Sequence, residues 1–147
     1  MPLNELLPKA TKLFPEREAV VCDHIRMNYL EFAGRVWRLC HGLLGLGLRK
    51  GDRVGILHEN CHIFLESYFA AAHTGIILVS LNHRLSTKEL AMILNDSQVR
   101  LLIVQRKFRD KAGELPSLIQ RLERVIWTHG SPEPGNDQAL EYKTFFS

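Results

Sequence analysis

Apolar residues at the start of the chain recur at helical spacing. Leu3, Leu6, Leu7, Ala10 and Leu13 share one helical face, and Pro15 ends the run. Residues 19–22 read as a strand, Asp23-His24 as a turn and residues 25–27 as a return strand. Asn28 and Glu31 have the spacing of a capping box, with Met27 and Phe32 placed as its hydrophobic staple. Phe32, Ala33, Val36, Leu39, Cys40 and Leu43 form the buried stripe of that helix, and Gly47 stands where a left-handed cap is favoured. Gly51-Asp52 turns the chain into an apolar strand at residues 54–57. Asn60 is the expected cap of a helix burying Ile63, Phe64, Tyr68, Phe69 and Ala72, which Gly75 ends.

Residues 76–81 read as a second buried strand. Ser86 and Glu89 repeat the capping-box spacing, with Leu85 and Leu90 as staple. Leu90, Ile93 and Leu94 form the buried face, and Asn95-Asp96 closes the helix. A third strand spans 101–104, a helix 115–122 and a fourth strand 125–127. Residues 130–137 read as a loop or linker. Strands alternating with helices imply right-handed crossovers. The predicted fold is therefore α/β, with a mainly parallel, doubly wound sheet covered on both faces.

Composition narrows the function classes. The 147 residues, 46% hydrophobic and 24% charged, suffice for a packed core. A net charge of +3, with basic residues dispersed among acids, argues against a nucleic-acid partner. The most apolar window, 64–81, is interrupted by Glu66, His73 and Gly75, so no transmembrane segment is expected. The first residues have no basic region and no long apolar run, unlike a signal peptide. Cys22, Cys40 and Cys61 have unrelated spacings and include no C-x-x-C pair; they read as buried or half-buried thiols in a reducing cytoplasm. His58, Cys61 and His62 lie close together, but two of them are neighbours pointing different ways, so no metal site is expected.

Gly42, Gly45, Gly47 and Gly51 do not form a dinucleotide turn. Their spacing is wrong, and they follow a helix where a phosphate turn must follow a strand. There is no G-x-x-x-x-G-K-[ST] loop, no G-x-S-x-G elbow, and no pair of carboxylates that stands apart from helix-surface acids.

Three segments carry information as an ordered set. They are Asn28-Tyr29-Leu30-Glu31-Phe32; the run from Gly45 through Gly51-Asp52-Arg53-Val54 to Asn60; and the run from Gly75 through Leu81-Asn82-His83-Arg84-Leu85 to Asn95-Asp96-Ser97. In this order and spacing the chain resembles the N-terminal region of the adenylate-forming (AMP-binding) enzymes, most closely the fatty-acyl and other acyl-CoA synthetases. The resemblance runs from Leu3 to about Trp127. Three departures stand out: Asn28 where threonine is usual, and Ser80 and His83 where proline is usual. Losing two prolines frees two backbone N–H groups and relaxes φ around Arg84.

The resemblance implies that residues 1–128 are the N-terminal α/β subdomain of the ligase domain, and 129–147 a loop and the start of the next segment. It implies a parent enzyme that joins a carboxylic (fatty) acid to coenzyme A with ATP and Mg²⁺, through an acyl-adenylate. Arg84 corresponds to an arginine that lies near the coenzyme A phosphates in some of these ligases; the alternative is a pair with Glu89 on the next helical turn. The family's S-G-T-T-G-x-P-K-G phosphate loop is not among these residues, nor are the adenine-binding segments and the C-terminal catalytic lysine. The expectation is therefore a front part of a longer enzyme, inactive and without bound cofactor by itself. Two other readings stay open. One is a non-catalytic interaction module that self-associates through the surface its missing half would cover. The other is a small nucleotide-binding α/β protein unrelated to the ligases.

Overall fold

The computed structural model describes residues 1–129 and 139–146. The backbone divides into two compact units. One comprises Met1–Lys50 and Asn60–Ile76, the other Gly51–Glu59 and Ile77–Phe145.

The first unit contains α1 (Leu3–Leu13), an antiparallel hairpin of β1 (Glu18–Cys22) and β2 (Ile25–Asn28), α2 (Tyr29–Gly45) and α3 (His62–Thr74). The start of α2 is the capping box expected from sequence. Glu31 N donates to Asn28 Oδ1 (2.8 Å), and Asn28 N donates to Glu31 Oε2 (2.9 Å). Its buried stripe is the predicted one, Phe32, Ala33, Val36, Leu39, Cys40 and Leu43. At its other end Gly47 has φ +89°, Gly47 N donates to Leu44 O (3.0 Å) and Leu48 N to Leu43 O (3.3 Å). These are the two bonds of a Schellman motif.

Two expectations for this unit fail. The cap of α3 is Cys61, not Asn60, and it makes no side-chain cap bond. The buried face of α3 is His62, Ile63, Glu66, Ser67, Ala70 and Ala71, while Tyr68 is exposed and Phe64, Phe69 and Ala72 are half-buried. Apolar residues surround this helix, so no single stripe marks its inner side. Glu66 lies fully inside because Arg35 of α2 grips its carboxylate with two nitrogens; burying that charge without a partner costs several kcal/mol, of order 3–5. Phe32 and Phe69 meet edge to face at 5.7 Å in the same packing. On α1 only Leu7 is buried; Leu3, Leu6 and Leu13 remain exposed.

The second unit is a parallel sheet in the order β4 (Ile77–Ser80), β3 (Arg53–Leu57), β5 (Leu101–Gln105), β6 (Arg124–Thr128) and β7 (Ala139–Glu141). The predicted α/β class and parallel sheet are present, with β7 as a fifth strand beyond the four expected. The expected loop at 130–137 lies outside the described residues. Strand β4, expected to be buried, is an edge strand with Ile77 and Ser80 exposed; its only ladder among the described residues is with β3. The helix α4 (Thr87–Asp96) starts with the second predicted capping box, from Ser86 and Glu89. It buries Leu90, Ala91 and Leu94, and Ile93 faces outward. The anchoring of Leu94 and Leu90 sets this rotation. At Gly55 on β3 an added Cβ would lie 2.9 Å from both Leu94 Cδ2 and Leu102 Cδ1, so glycine is what lets α4 approach so closely.

The predicted helix at 115–122 is a single turn, α6 (Leu115–Leu118), preceded by a 3₁₀ turn at Arg106–Phe108 and by α5 (Arg109–Ala112). Asn95 stops it. Its Nδ2 donates to Leu118 O (2.8 Å), its Oδ1 accepts from Gln120 N (2.9 Å), and Ile119 turns extended. Ile119 and Leu122 then reach the core beside Leu90, Leu102, Val104 and Trp127.

Candidate functional site

In an open parallel sheet, ligands gather beyond the carboxyl ends of the strands, where the strand order reverses. Here that reversal lies at β3, whose next two strands in sequence, β4 and β5, flank it on opposite sides. The residues just past these strand ends are His58 and Glu59 after β3, Asn82 to Arg84 after β4, Arg106 and Lys107 after β5, and His129 after β6.

A fixed polar network joins β3, β5 and β6. His58 is buried. Its Nδ1 lies 2.8 Å from Glu59 O, which only accepts, so Nδ1 carries the proton; in the neutral ring Nε2 then accepts from Thr128 Oγ1 at 2.8 Å. Glu59 N donates to Gln105 Oε1 (3.0 Å) and Gln105 Nε2 to Glu59 Oε2 (3.2 Å). Lys107 Nζ bonds Glu59 Oε1 at 2.5 Å, and this bond, followed by that from Gln105, holds the Glu59 carboxyl below the usual carboxylate range. Arg106 pairs with Glu141 at the end of β7 (2.9 Å) and lies over the Trp127 ring.

Arg84, the site residue expected from sequence, sits on the exposed turn between β4 and α4. The turn is well bonded. Asn82 Oδ1 accepts from Arg84 N (3.0 Å), Asn82 O accepts from Leu85 N (3.1 Å), and Lys111 Nζ donates to His83 O (2.6 Å). The His83 ring stacks on Phe108 with centroids 5.1 Å apart and planes 20° apart. The Arg84 guanidinium has no ion pair or hydrogen bond with the described residues. The pair with Glu89 does not form, because Glu89 Oε2 accepts from Ser86 N (2.8 Å) and Oγ (2.7 Å). Those bonds, the backbone one foremost, lower the Glu89 pKa.

Other motif residues are structural. Gly51 has φ +91°, and Asp52 accepts from Arg100 Nη1 (2.6 Å), whose guanidinium also grips Glu123 at 2.9 Å at the amino ends of the strands. Among the described residues no group of three His, Cys, Asp or Glu forms a metal-holding cluster, and no helix is long and apolar enough to cross a membrane. No disulfide joins Cys22, Cys40 and Cys61, and burial pushes the Cys40 thiol up to about 11.

Residues 7–144 match the AMP-binding enzyme family. The chain belongs to that family. It is 36% identical over 109 residues to the mitochondrial medium-chain acyl-CoA ligase ACSF2 of Rattus norvegicus, a match covering 73% of this chain and 18% of that one. It is 35% identical over 120 residues to the 3-oxocholest-4-en-26-oate–CoA ligase of Rhodococcus rhodochrous, covering 80% and 22%. The chain thus spans about a fifth of the length of these relatives. Its fold superposes on that of the anthranilate CoA ligase AuaEII, crystallised with anthranoyl-AMP, with a TM-score of 0.91 over 99% of this chain and 27% of that one, at 23% identity. The resemblance to adenylate-forming enzymes is therefore correct, and the reading as an unrelated nucleotide-binding protein is excluded. Sequence reasoning did not find the His58–Thr128 and Glu59–Gln105–Lys107 contacts. The only local signal was the polar run at 58–60 directly after an apolar strand.

Proposed function

We propose that these residues are the front part of an ATP-dependent acyl-CoA ligase and that Arg84 meets the phosphates of coenzyme A there. Relatedness to acyl-CoA ligases supports the reaction. A carboxylate oxygen attacks the α-phosphorus of ATP and expels pyrophosphate; the thiol of coenzyme A then attacks the acyl carbon and displaces AMP. Magnesium arrives with ATP, and no step is assigned to a metal held by the residues described here.

The observation that carries the Arg84 reading is its exposed guanidinium, without a carboxylate partner among the described residues, on a braced turn at the carboxyl end of β4. A guanidinium donates two parallel bonds to a phosphate, so it suits a diphosphate ligand. In the whole enzyme, Arg84→Ala is expected to raise the KM for coenzyme A roughly ten-fold, as a charge-assisted contact of about 1–3 kcal/mol implies, and to leave ATP–pyrophosphate exchange nearly intact. Loss of exchange with an unchanged KM for coenzyme A would place Arg84 in the first half-reaction or in the scaffold. A protein made of these 147 residues alone should release no pyrophosphate from ATP and carboxylic acids, because it carries no phosphate loop.

A second reading, a non-catalytic interaction module, is favoured by the exposed Leu3, Leu6 and Leu13 on α1 and by Phe14 just after it. Self-association that Leu3→Glu and Leu6→Glu abolish together would support it; a monomer at high concentration would oppose it.

A further inference from the structure

The relaxed turn expected from the loss of two prolines is not slack. Two contacts from outside the turn converge on His83, the residue immediately before Arg84. The ammonium of Lys111, on α5, donates to the His83 carbonyl at 2.6 Å in a half-buried position. The Phe108 ring, at the end of the 3₁₀ turn after β5, stacks flat on the imidazole and is itself packed against the core cluster of the second unit. A third bond secures the latch from behind: Thr87 Oγ1, in the first turn of α4, donates to the Lys111 carbonyl at 3.0 Å.

We propose that Lys111 and Phe108 act through His83 as a latch that positions Arg84, supplying by a ring stack and a lysine bond the rigidity that a proline ring would supply at residue 83. Lys111 is then a positioning residue for anion capture, and its own charge is spent on a carbonyl. A turn on a sheet's edge loses backbone freedom when it orders. A guanidinium held in one place binds a diphosphate more tightly than one that must be ordered by it. Proline restricts φ directly. Histidine does not, so the restriction must come from outside the residue, and the stack and the lysine both act on it. No described backbone bond uses the His83 N–H, so proline at this position would break none.

The inference rests on the reading of Arg84 as a phosphate contact for its purpose, but its test does not. The readout is amide hydrogen exchange at Arg84 and Leu85, whose N–H groups donate to Asn82. Lys111→Met and His83→Ala should each speed exchange at these two amides about ten-fold, with α4 and β5 unchanged. Lys111→Arg, which keeps a donor, should stay within about two-fold of the natural protein. Adding His83→Pro to Lys111→Met should return exchange close to the natural rate. Unchanged exchange in Lys111→Met and His83→Ala would overturn the latch. So would a rise spread evenly over α4 and β5, or a failure of proline to restore protection. Titration of the same proteins with coenzyme A, followed by chemical-shift change, tests the underlying reading separately. If Arg84→Ala leaves both coenzyme A binding and exchange as they were, the phosphate assignment fails while the latch stands on the exchange result.

Discussion

Helices α2 and α4 lie in different units and are bounded by the same devices at both ends. Each begins with a capping box, Asn28/Glu31 in one and Ser86/Glu89 in the other. Each ends in a Schellman motif. In α4, Gln98 N donates to Asn95 O (3.1 Å) and Val99 N to Leu94 O (3.1 Å), matching the bonds made by Gly47 and Leu48 in α2. The difference is the residue that takes the left-handed conformation: Gly47 at φ +89° and Gln98 at φ +54°. A side chain at positive φ costs roughly 1–2 kcal/mol. In α4 that cost is offset by burying Val99 against Leu94, both fully inside, just before β5. In α2, glycine removes the cost. A glycine announces a helix end, while a buried anchor pair can impose the same end on a residue that gives no sign of it.

Substitutions at these helix ends test what holds each one. The largest effect should come from the anchor. Leu94→Ala removes a fully buried side chain that meets Leu90, Leu102 and Val99, and should destabilise the protein by about 2–5 kcal/mol in chemical denaturation. A loss below 1 kcal/mol would mean that the pair does not hold the left-handed residue in place.

Next is Gly47→Ala. A Cβ there meets nothing within 4 Å, so its expected cost, about 1–2 kcal/mol, is conformational alone. Gln98→Ala, which already accepts that conformation, should be near neutral.

The two caps should be equal. Asn28→Ala and Ser86→Ala should each cost about 1 kcal/mol, because both side chains satisfy an N–H that the helix leaves open. No shift in midpoint for either variant would contradict the capping geometry. Acid sharpens this pair at Ser86. The folded-state pKa of Glu89 is lowered, so the stability linked to its ionised form is present above the ordinary carboxylate pKa and is lost as pH falls through the lowered folded value. Glu89→Gln should flatten that part of the acid-unfolding curve.

The smallest effect should be a gain. Gln98→Gly relieves the left-handed strain but loosens the unfolded chain, so a net stabilisation of a few tenths to about 1 kcal/mol is expected. A destabilisation would show that the Gln98 side chain contributes contacts beyond its backbone role.

Much of the fold was legible because it rests on short-range rules. Asn28 with Glu31, Ser86 with Glu89, and the glycines 47, 51 and 75 act within a few residues of where they stand, and each does what its local chemistry requires. The apolar runs at 54–57, 101–104 and 125–127 needed no tertiary information to read as strands. The ordered motifs around them identified the family. Within the candidate site, Arg84 is proposed from resemblance alone, since an arginine on a polar turn has no distinguishing local pattern.

What tertiary structure decided lies where the deciding contact is distant in sequence. Burial of Glu66 depends on Arg35, and the stop after Leu118 on Asn95. The edge position of β4 depends on the strand order, the positive φ of Gln98 on an anchor pair, and the bracing of the Arg84 turn on Phe108 and Lys111. His58 meets Thr128 across 70 residues of chain. A polar side chain carries its hydrogen-bonding capacity in the sequence, but its partner is chosen only when the sheet sets the strands side by side. Helix ends, by contrast, leave N–H and C=O groups unpaired at once, and the nearest residues must satisfy them. That is why the boundaries of α2 and α4 could be read from the chain, and why the network at the carboxyl ends of the strands could not.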